Sequence, residues 1–159
     1  MKLYLVRHGE AESFAQSRRD EDRKLTPEGK QNLANSCKNW PHLIKGLVHI
    51  VSSPKVRAYE TAKIIKEAMN HQAEIIIDKR LSGIGSTEDV IELVNSLKAD
   101  SVMIVGHEPD FSEYVSDFVS NSGVRMNFKK GMLVKVSFNA KARIGGGTLE
   151  YILPLKVYL

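Results

Sequence analysis

Two arginines and two histidines are the side chains in this sequence most able to act together in chemistry. Arg7 and His8 directly follow one apolar run, Arg57 lies one helical turn beyond a second, and His107 follows a third. If the runs are parallel strands, their carboxyl ends share one sheet edge, where ligands bind in open α/β folds. Guanidinium groups match phosphate oxygens, and helix amino termini add backbone donors. The pattern predicts a pocket for a dianion.

Each of these residues also has a purely structural interpretation when it is taken alone. Arg7 could pair with a carboxylate, His8 could cap a turn, and Arg57 could lie on a solvent-exposed helix face. His107 could be a hydrogen-bonded histidine of the core. Their shared position after predicted strands favours the functional interpretation for the set.

Strands and helices alternate over most of the chain. Apolar runs predict strands at residues 3–6, 47–51, 74–77 and 101–105. Helical periodicity predicts helices from Thr26 to Pro41, over 55–69, around 90–97 and over 109–120. Residues 132–138 and 148–153 flank three glycines and predict an antiparallel hairpin. This order predicts an α/β fold, a three-layer α/β/α sandwich whose mostly parallel sheet has an antiparallel C-terminal edge.

The composition fits a single domain over residues 1–159. The net charge of +4 suits an anionic ligand, but basic and acidic residues are interspersed and aromatic residues are only 7%, so we expect no nucleic-acid binding. The one cysteine, Cys37, excludes an internal disulfide and is predicted to be a buried thiol in a helix. The sequence lacks a signal-peptide pattern and any apolar run of membrane-spanning length, so we expect a cytoplasmic protein without membrane contact.

The ordered motifs resemble the histidine phosphatase superfamily, which has the phosphoglycerate mutase-like fold. The motifs are Leu-Val-Arg-His-Gly-Glu at residues 5–10, Ser-Ser-Pro at 52–54, Arg-Ala at 57–58, Glu-Thr at 60–61 and Val-Gly-His at 105–107. The short chain, the Leu-Thr-Pro-Glu-Gly element at 25–29 and the Gly-His-Glu-Pro sequence at 106–109 are similar to the SixA-type branch. Members of that branch are phosphohistidine phosphatases and close relatives. The resemblance spans residues 1 to about 115.

The resemblance implies a covalent mechanism that uses only protein side chains. His8 would be the nucleophile that attacks phosphorus, and water would then hydrolyse the phosphohistidine enzyme. Arg7 and Arg57 would bind the phosphoryl oxygens, and His107 would bind another, as a cation beside the dianion. We expect no cofactor, and the histidines lack the spacing of metal ligands, so we expect no metal site.

Two further residues are candidates for substrate binding. Ser53 follows the second predicted strand. Arg23 ends the charged run 18–24, and the resemblance suggests a role because small members of the branch tend to carry an arginine just before Leu-Thr. A solvent-exposed loop is the alternative interpretation of this run.

The sequence leaves the proton donor open. Larger superfamily members usually place a carboxylic acid in the loop after the third strand, which here is 78–83, with Arg80 near the expected position. Lack of an acid could slow departure of an alkoxide by roughly 10²–10⁴, whereas an imidazole, with a conjugate acid of pKa about 6.5, needs less help. Glu108, Asp110 and Glu10 are the other candidates. Glu108 could instead cap the following helix, and Asp110 could complement its dipole.

The sequence therefore predicts a phosphatase that forms a phosphohistidine intermediate on His8. We expect the partner to be a phosphohistidine-bearing protein or another phosphorylated substrate, with phosphate or a related oxyanion in the pocket. The chain is too short for the long insertions that enclose a small substrate, which favours a protein substrate. The alternatives are a broader phosphomonoesterase acting on small phosphorylated metabolites and a non-catalytic phosphate-binding regulatory domain. We expect a monomer.

Overall fold

The computed structural model describes residues 1–155, which form one six-stranded sheet with helices on both faces. The strands are β1 (Lys2–Arg7), β2 (His49–Ser52), β3 (Ile76–Ile77), β4 (Ser101–Gly106), β5 (Leu133–Phe138) and β6 (Gly147–Leu153). Their order is β3-β2-β4-β1-β5-β6. The first four strands of that order are parallel to one another. Strand β5 is antiparallel to β1, and β6 is antiparallel to β5. The predicted mostly parallel sheet with an antiparallel C-terminal edge is confirmed.

The helices complete three layers, as predicted. They are α1 (Pro27–Cys37), α2 (Trp40–Leu43), α3 (Val56–Ala68), α4 (Thr87–Ser96) and α5 (Asp110–Val119). Because successive side chains of a strand point to opposite faces, β1 contributes to two separate cores. Tyr4 and Val6 pack with α1, α2 and α3, and Leu3 and Leu5 pack with α4 and α5.

Helix α1 begins as its sequence predicts but ends earlier. The Thr26 hydroxyl accepts a hydrogen bond from the amide of Gly29 at 2.9 Å, and Pro27 occupies the first turn. The prediction that this helix continues to Pro41 was wrong, because α1 ends at Cys37, which is buried as expected. Pro41 lies in the first turn of α2, where the amide hydrogen that proline lacks would have no helical partner.

Two other segments differ from the sequence prediction. The third strand is shorter than residues 74–77, because only Ile76 and Ile77 pair with β2. The charged run folds into a 3-10 turn at Asp20–Asp22, preceded by another at Phe14–Gln16. Asp20 is partly buried, so the interpretation of the run as a solvated loop fails at this residue. No helix within residues 1–155 is long and apolar enough to cross a membrane.

The sheet register brings three chain segments to one edge. Arg7 at the end of β1 lies opposite Gly106 at the end of β4, and Ser52 at the end of β2 lies opposite Val105. The loops that follow these strands therefore begin side by side. Arg7 ends β1 itself, whereas His8, Ser53 and His107 lie in the loops after β1, β2 and β4, and Arg57 lies in the helix that follows β2.

Candidate active site

His8 lies in the loop directly after β1, with its side chain only 6% exposed. Its backbone amide donates to the carbonyl of Gly106 at 3.1 Å, which fixes the loop to the end of β4. Its Nδ1 donates to the carbonyl of Gly9 at 2.7 Å. Because a neutral imidazole carries one proton, this bond leaves the lone pair on Nε2. Nε2 accepts a hydrogen bond from Arg57 Nε at 3.2 Å, in agreement with that tautomer.

The surroundings of His8 keep its ring neutral. Burial is the largest effect and lowers the pKa of His8 to about 3, against the raising effect of the bond to the Gly9 carbonyl. The positive charges of Arg57, Arg7 and Lys130 lower the pKa further. At neutral pH, His8 therefore presents an unprotonated nitrogen, the form that can attack phosphorus.

Arg57 lies in the first turn of α3 and is 5% exposed. Its Nη1 donates to the backbone carbonyl of Asp20 at 2.6 Å, and its Nη2 donates to Asp20 Oδ2 at 3.1 Å. The Thr61 hydroxyl links this turn to the His8 loop, since it donates to the Arg57 carbonyl at 2.8 Å and accepts from the Gly9 amide at 3.1 Å. The same helix thus orients both the guanidinium group and the loop that carries His8.

His107 follows β4 and lies beside His8, with 5.2 Å between the ring centroids. Its Nε2 shares a hydrogen bond of 2.8 Å with the Ser53 hydroxyl, and its buried Nδ1 has no partner within residues 1–155. We expected His107 to be a cation beside a dianion. In the free site, burial first, and then electrostatic interactions with His8, Arg57 and Lys55, lower the pKa of His107, so that it is neutral at neutral pH.

Arg7 supplies the second guanidinium group from the last residue of β1. Its Nη1 donates to the carbonyl of Phe128 at 2.7 Å. Its Nε is buried and has no hydrogen-bond partner in the described part of the chain. A groove of about 690 Å³ opens beside Arg7, and Lys129 and Lys130 also line it. Arg7 therefore retains a buried donor next to an open surface.

The three candidate proton donors have different surroundings. Glu108 accepts from the Ser112 amide at 2.9 Å and from the Ser112 hydroxyl at 2.6 Å, so it caps α5. Glu10 is exposed and pairs with Lys130 at 2.6 Å. Asp110 Oδ2 is buried without a partner among the described residues, and burial raises the pKa of this carboxyl group. Of the three, Asp110 has the surroundings that favour a protonated acid.

The loop after β3 offers no free acid. Asp78 accepts from Arg80 Nε at 3.0 Å and from Arg80 Nη2 at 2.7 Å. The hydrogen bond from Arg80 is also the main reason that the pKa of Asp78 is lowered. This carboxylate is therefore ionised and held by the arginine that stands near the expected position of the acid.

Sequence reasoning missed Asp20 and Lys55 and assigned Arg23 to the substrate. Asp20 accepts from Arg23 Nη1 at 3.0 Å and from Lys55 Nζ at 3.1 Å, in addition to its contacts with Arg57. Although burial works to raise the pKa of Asp20, the hydrogen bonds from Lys55, Arg23 and Arg57 hold it well below its usual range. Arg23 is directed at Asp20, so its charge is already compensated within the protein. Nothing in the sequence singles out Asp20 from its acidic neighbours.

Comparison with known proteins identifies what this arrangement resembles. Residues 3–90 match the model of the histidine phosphatase superfamily (branch 1). A phosphohistidine phosphatase SixA homolog of Haemophilus influenzae is 35% identical over 127 residues, which cover 74% of this chain and 76% of that protein. An uncharacterised protein of Picosynechococcus is 28% identical over 93% of this chain and 91% of its own length. The structure of the protein histidine phosphatase SixA complexed with tungstate aligns with a TM-score of 0.85 and 19% identity over 99% of both chains.

Proposed function

The chain belongs to the histidine phosphatase superfamily, and from this premise we propose that it hydrolyses a phosphoryl group through a covalent phosphohistidine on His8. The state of His8 is the observation that carries the proposal. Its Nε2 is unprotonated, and a guanidinium donor lies 3.2 Å away. A non-catalytic phosphate-binding domain would need the cations but not a neutral imidazole among them.

The first proposed step transfers the phosphoryl group to the enzyme. The Nε2 lone pair of His8 forms a bond to phosphorus while the bond from phosphorus to the leaving group breaks. Arg57 Nε, which bonds His8 in the free protein, would donate to a phosphoryl oxygen instead. Arg7 Nε has no partner within residues 1–155 and would donate to another. Aimed donors of this kind stabilise the charge that spreads over the phosphoryl oxygens in the transition state.

The second proposed step returns the enzyme to its starting state. Water attacks phosphorus and gives up one proton to solvent, which balances the proton that the leaving group took up in the first step. The bond to Nε2 breaks, and inorganic phosphate leaves with His8 neutral again. A bound dianion would raise the pKa of His107. Once protonated, His107 would donate a hydrogen bond to a third phosphoryl oxygen. The positive charge for both steps comes from side chains of this chain, so we propose a reaction that needs no metal ion.

We propose protein phosphohistidine as the substrate. The relative from Haemophilus influenzae carries the name phosphohistidine phosphatase SixA homolog. The only acid between residues 78 and 83 is Asp78, which is ionised and bonded to Arg80, and an imidazole leaving group needs less protonation than an alkoxide. Of the proposed phosphoryl-binding side chains, Arg7 lines the groove, and we propose that the chain around the phosphohistidine binds there. A cytoplasmic, monomeric, single-domain protein remains our prediction.

A phosphomonoesterase is the second candidate, and Asp110 is the observation in its favour. Burial raises the pKa of this carboxyl group, and it follows His107 by three residues. A protonated acid at that position could assist an alkoxide leaving group. The two candidates therefore differ in which leaving group the enzyme can expel.

Hydrolysis of matched phosphohistidine and phosphoserine peptides tests the proposal. We expect kcat/KM to favour phosphohistidine by more than about tenfold, because the alkoxide depends more on an acid. His8→Ala should abolish turnover, whereas His42→Ala, at an exposed histidine of α2, should leave it unchanged. Vanadate and tungstate should compete with the substrate. Equal kcat/KM values would remove the leaving-group argument, and substantial turnover by His8→Ala would contradict covalent catalysis.

A further inference from the structure

Asp20 and His8 contact different edges of the Arg57 guanidinium group. A guanidinium has one edge formed by Nη1 and Nη2 and another formed by Nε and Nη2, and each edge can bind two oxygens. Asp20 takes the first edge, through its backbone carbonyl on Nη1 at 2.6 Å and its Oδ2 on Nη2 at 3.1 Å. Nε, on the second edge, is bonded to His8.

We propose that Asp20 is a positioning residue that holds Arg57 so that its Nε/Nη2 edge faces the phosphoryl group on His8. This inference rests on the proposed function and adds a residue to it. Two contacts on one edge of a planar group fix both its position and its rotation. Without these contacts, the long arginine side chain could turn its Nη1/Nη2 edge toward the anion, which would move Nε away from His8.

The contacts indicate positioning rather than competition with the substrate. A phosphoryl oxygen can replace His8 Nε2 as the acceptor of the Arg57 Nε hydrogen, while both contacts with Asp20 remain. Nη2 also carries two hydrogens, so its bond to Asp20 leaves one for the phosphoryl edge. Substrate binding therefore does not require Asp20 to leave.

Asp20 is itself anchored from two further directions. Arg23 Nη1 and Lys55 Nζ bond its two carboxylate oxygens, at 3.0 and 3.1 Å. Arg23 is fixed in turn by the carbonyl of Glu12 at 2.6 Å and by the ring of Phe14, 4.6 Å from the guanidinium carbon. Through Arg23, the 3-10 turn that carries Asp20 is linked to the segment around Glu12 and Phe14, and through Lys55 it is linked to the start of α3. The turn is therefore held in place and can fix the orientation of Arg57.

Asp20→Ala removes the carboxylate contact with Arg57 Nη2 and the anchors from Arg23 and Lys55, whereas the backbone carbonyl on Nη1 remains. We expect kcat to fall by up to about 10²-fold, the cost of displacing a catalytic donor by about 1 Å. KM should change little, because the net positive charge that attracts the dianion remains. Asp20→Asn keeps an acceptor oxygen and should recover part of the loss. The inhibition constant of vanadate, which resembles the transition state, should rise more than that of inorganic phosphate.

A double-mutant cycle with Arg57→Ala separates positioning from a general structural effect. If Asp20 acts through Arg57, adding Asp20→Ala to Arg57→Ala should cause no further loss of kcat. Asp22→Asn, in the same turn but exposed, is the matched control and should behave as wild type. Thermal unfolding of every variant checks the fold. If Asp20→Ala does not fold, Asp20→Asn replaces it in the double-mutant cycle.

Four outcomes would overturn the inference. Three are an unchanged kcat in Asp20→Ala, multiplicative losses in the double variant, and tighter phosphate binding with normal turnover, which would indicate competition. The fourth comes from the binding measurements and is an equal loss of vanadate and phosphate affinity. The affinities of phosphate and vanadate are measured by calorimetry, which tests the role of Asp20 independently of turnover. A wild-type protein that hydrolyses no phosphorylated substrate would refute the proposed function, whereas equal losses of vanadate and phosphate affinity in Asp20→Ala would refute only the role of Asp20.

Discussion

Lowering the pH below about 6.5 should destabilise the folded protein, because two buried histidines resist protonation. Burial lowers the pKa of His8 to about 3 and also lowers that of His107. In the unfolded chain both side chains titrate near pKa 6.5. Between these values the unfolded state binds protons that the folded state does not bind. Stability from this source is therefore complete above about pH 7.5 and decreases as the pH falls.

The size of the effect follows from the pKa difference. At about pH 5.5, one pH unit below the unfolded pKa, each neutral histidine lowers the unfolding free energy by roughly 1.4 kcal/mol. At about pH 7.5 the same contribution is below roughly 0.1 kcal/mol. His8 and His107 together should thus lower the unfolding free energy by about 2–3 kcal/mol between these pH values, a large part of the stability of a small protein.

Urea unfolding at the two pH values measures the effect, in buffers free of phosphate because phosphate would bind the folded site. His8→Gln removes one titrating group and also removes a neighbour that lowers the pKa of His107, so the pH dependence should fall to half or less. His42→Gln changes an exposed histidine and should keep the wild-type dependence. If His8→Gln keeps it too, His8 is not held neutral in the folded protein, and the proposed nucleophile loses its basis.

Two further predictions concern single residues. Asp110→Asn should slow hydrolysis of a phosphoserine peptide by about tenfold or more while affecting phosphohistidine less, if Asp110 protonates the alkoxide; an unchanged ratio of the two kcat/KM values would exclude that role. Gly106→Ala should destabilise the protein by about 1–3 kcal/mol, because the added Cβ would lie 2.6 Å from a ring carbon of Phe111; thermal unfolding measures this, and an unaltered midpoint would show that the ring moves freely.

The rule for parallel strands made much of the candidate site predictable from sequence. Arg7, His8 and His107 follow apolar runs, and once these runs are parallel neighbours the residues after them share one edge. Arg57 follows from the same logic, because α3 begins just beyond β2. No distance between side chains was needed to place these residues near one another.

The support around Arg57 was not predictable in the same way. Asp20 contacts a residue 37 positions away, and no periodic pattern marks it among three consecutive acidic residues. The end of α1 was misplaced because the apolar spacing continues through Trp40, although the backbone turns after Cys37 into a second short helix. The contact between Asp20 and Arg57 and the end of α1 both depend on tertiary contacts, which local sequence patterns do not indicate.

In the proposed mechanism, the hydrogen bond between Arg57 Nε and His8 Nε2 covers the nucleophilic atom of the free protein. The lone pair that would attack phosphorus is occupied until an anion attracts the guanidinium donor to itself. A molecule without negative charge offers the arginine no better acceptor, so it leaves the lone pair covered. The charge that identifies a phosphorylated molecule is then the same charge that uncovers the nucleophile, and recognition and activation become a single event.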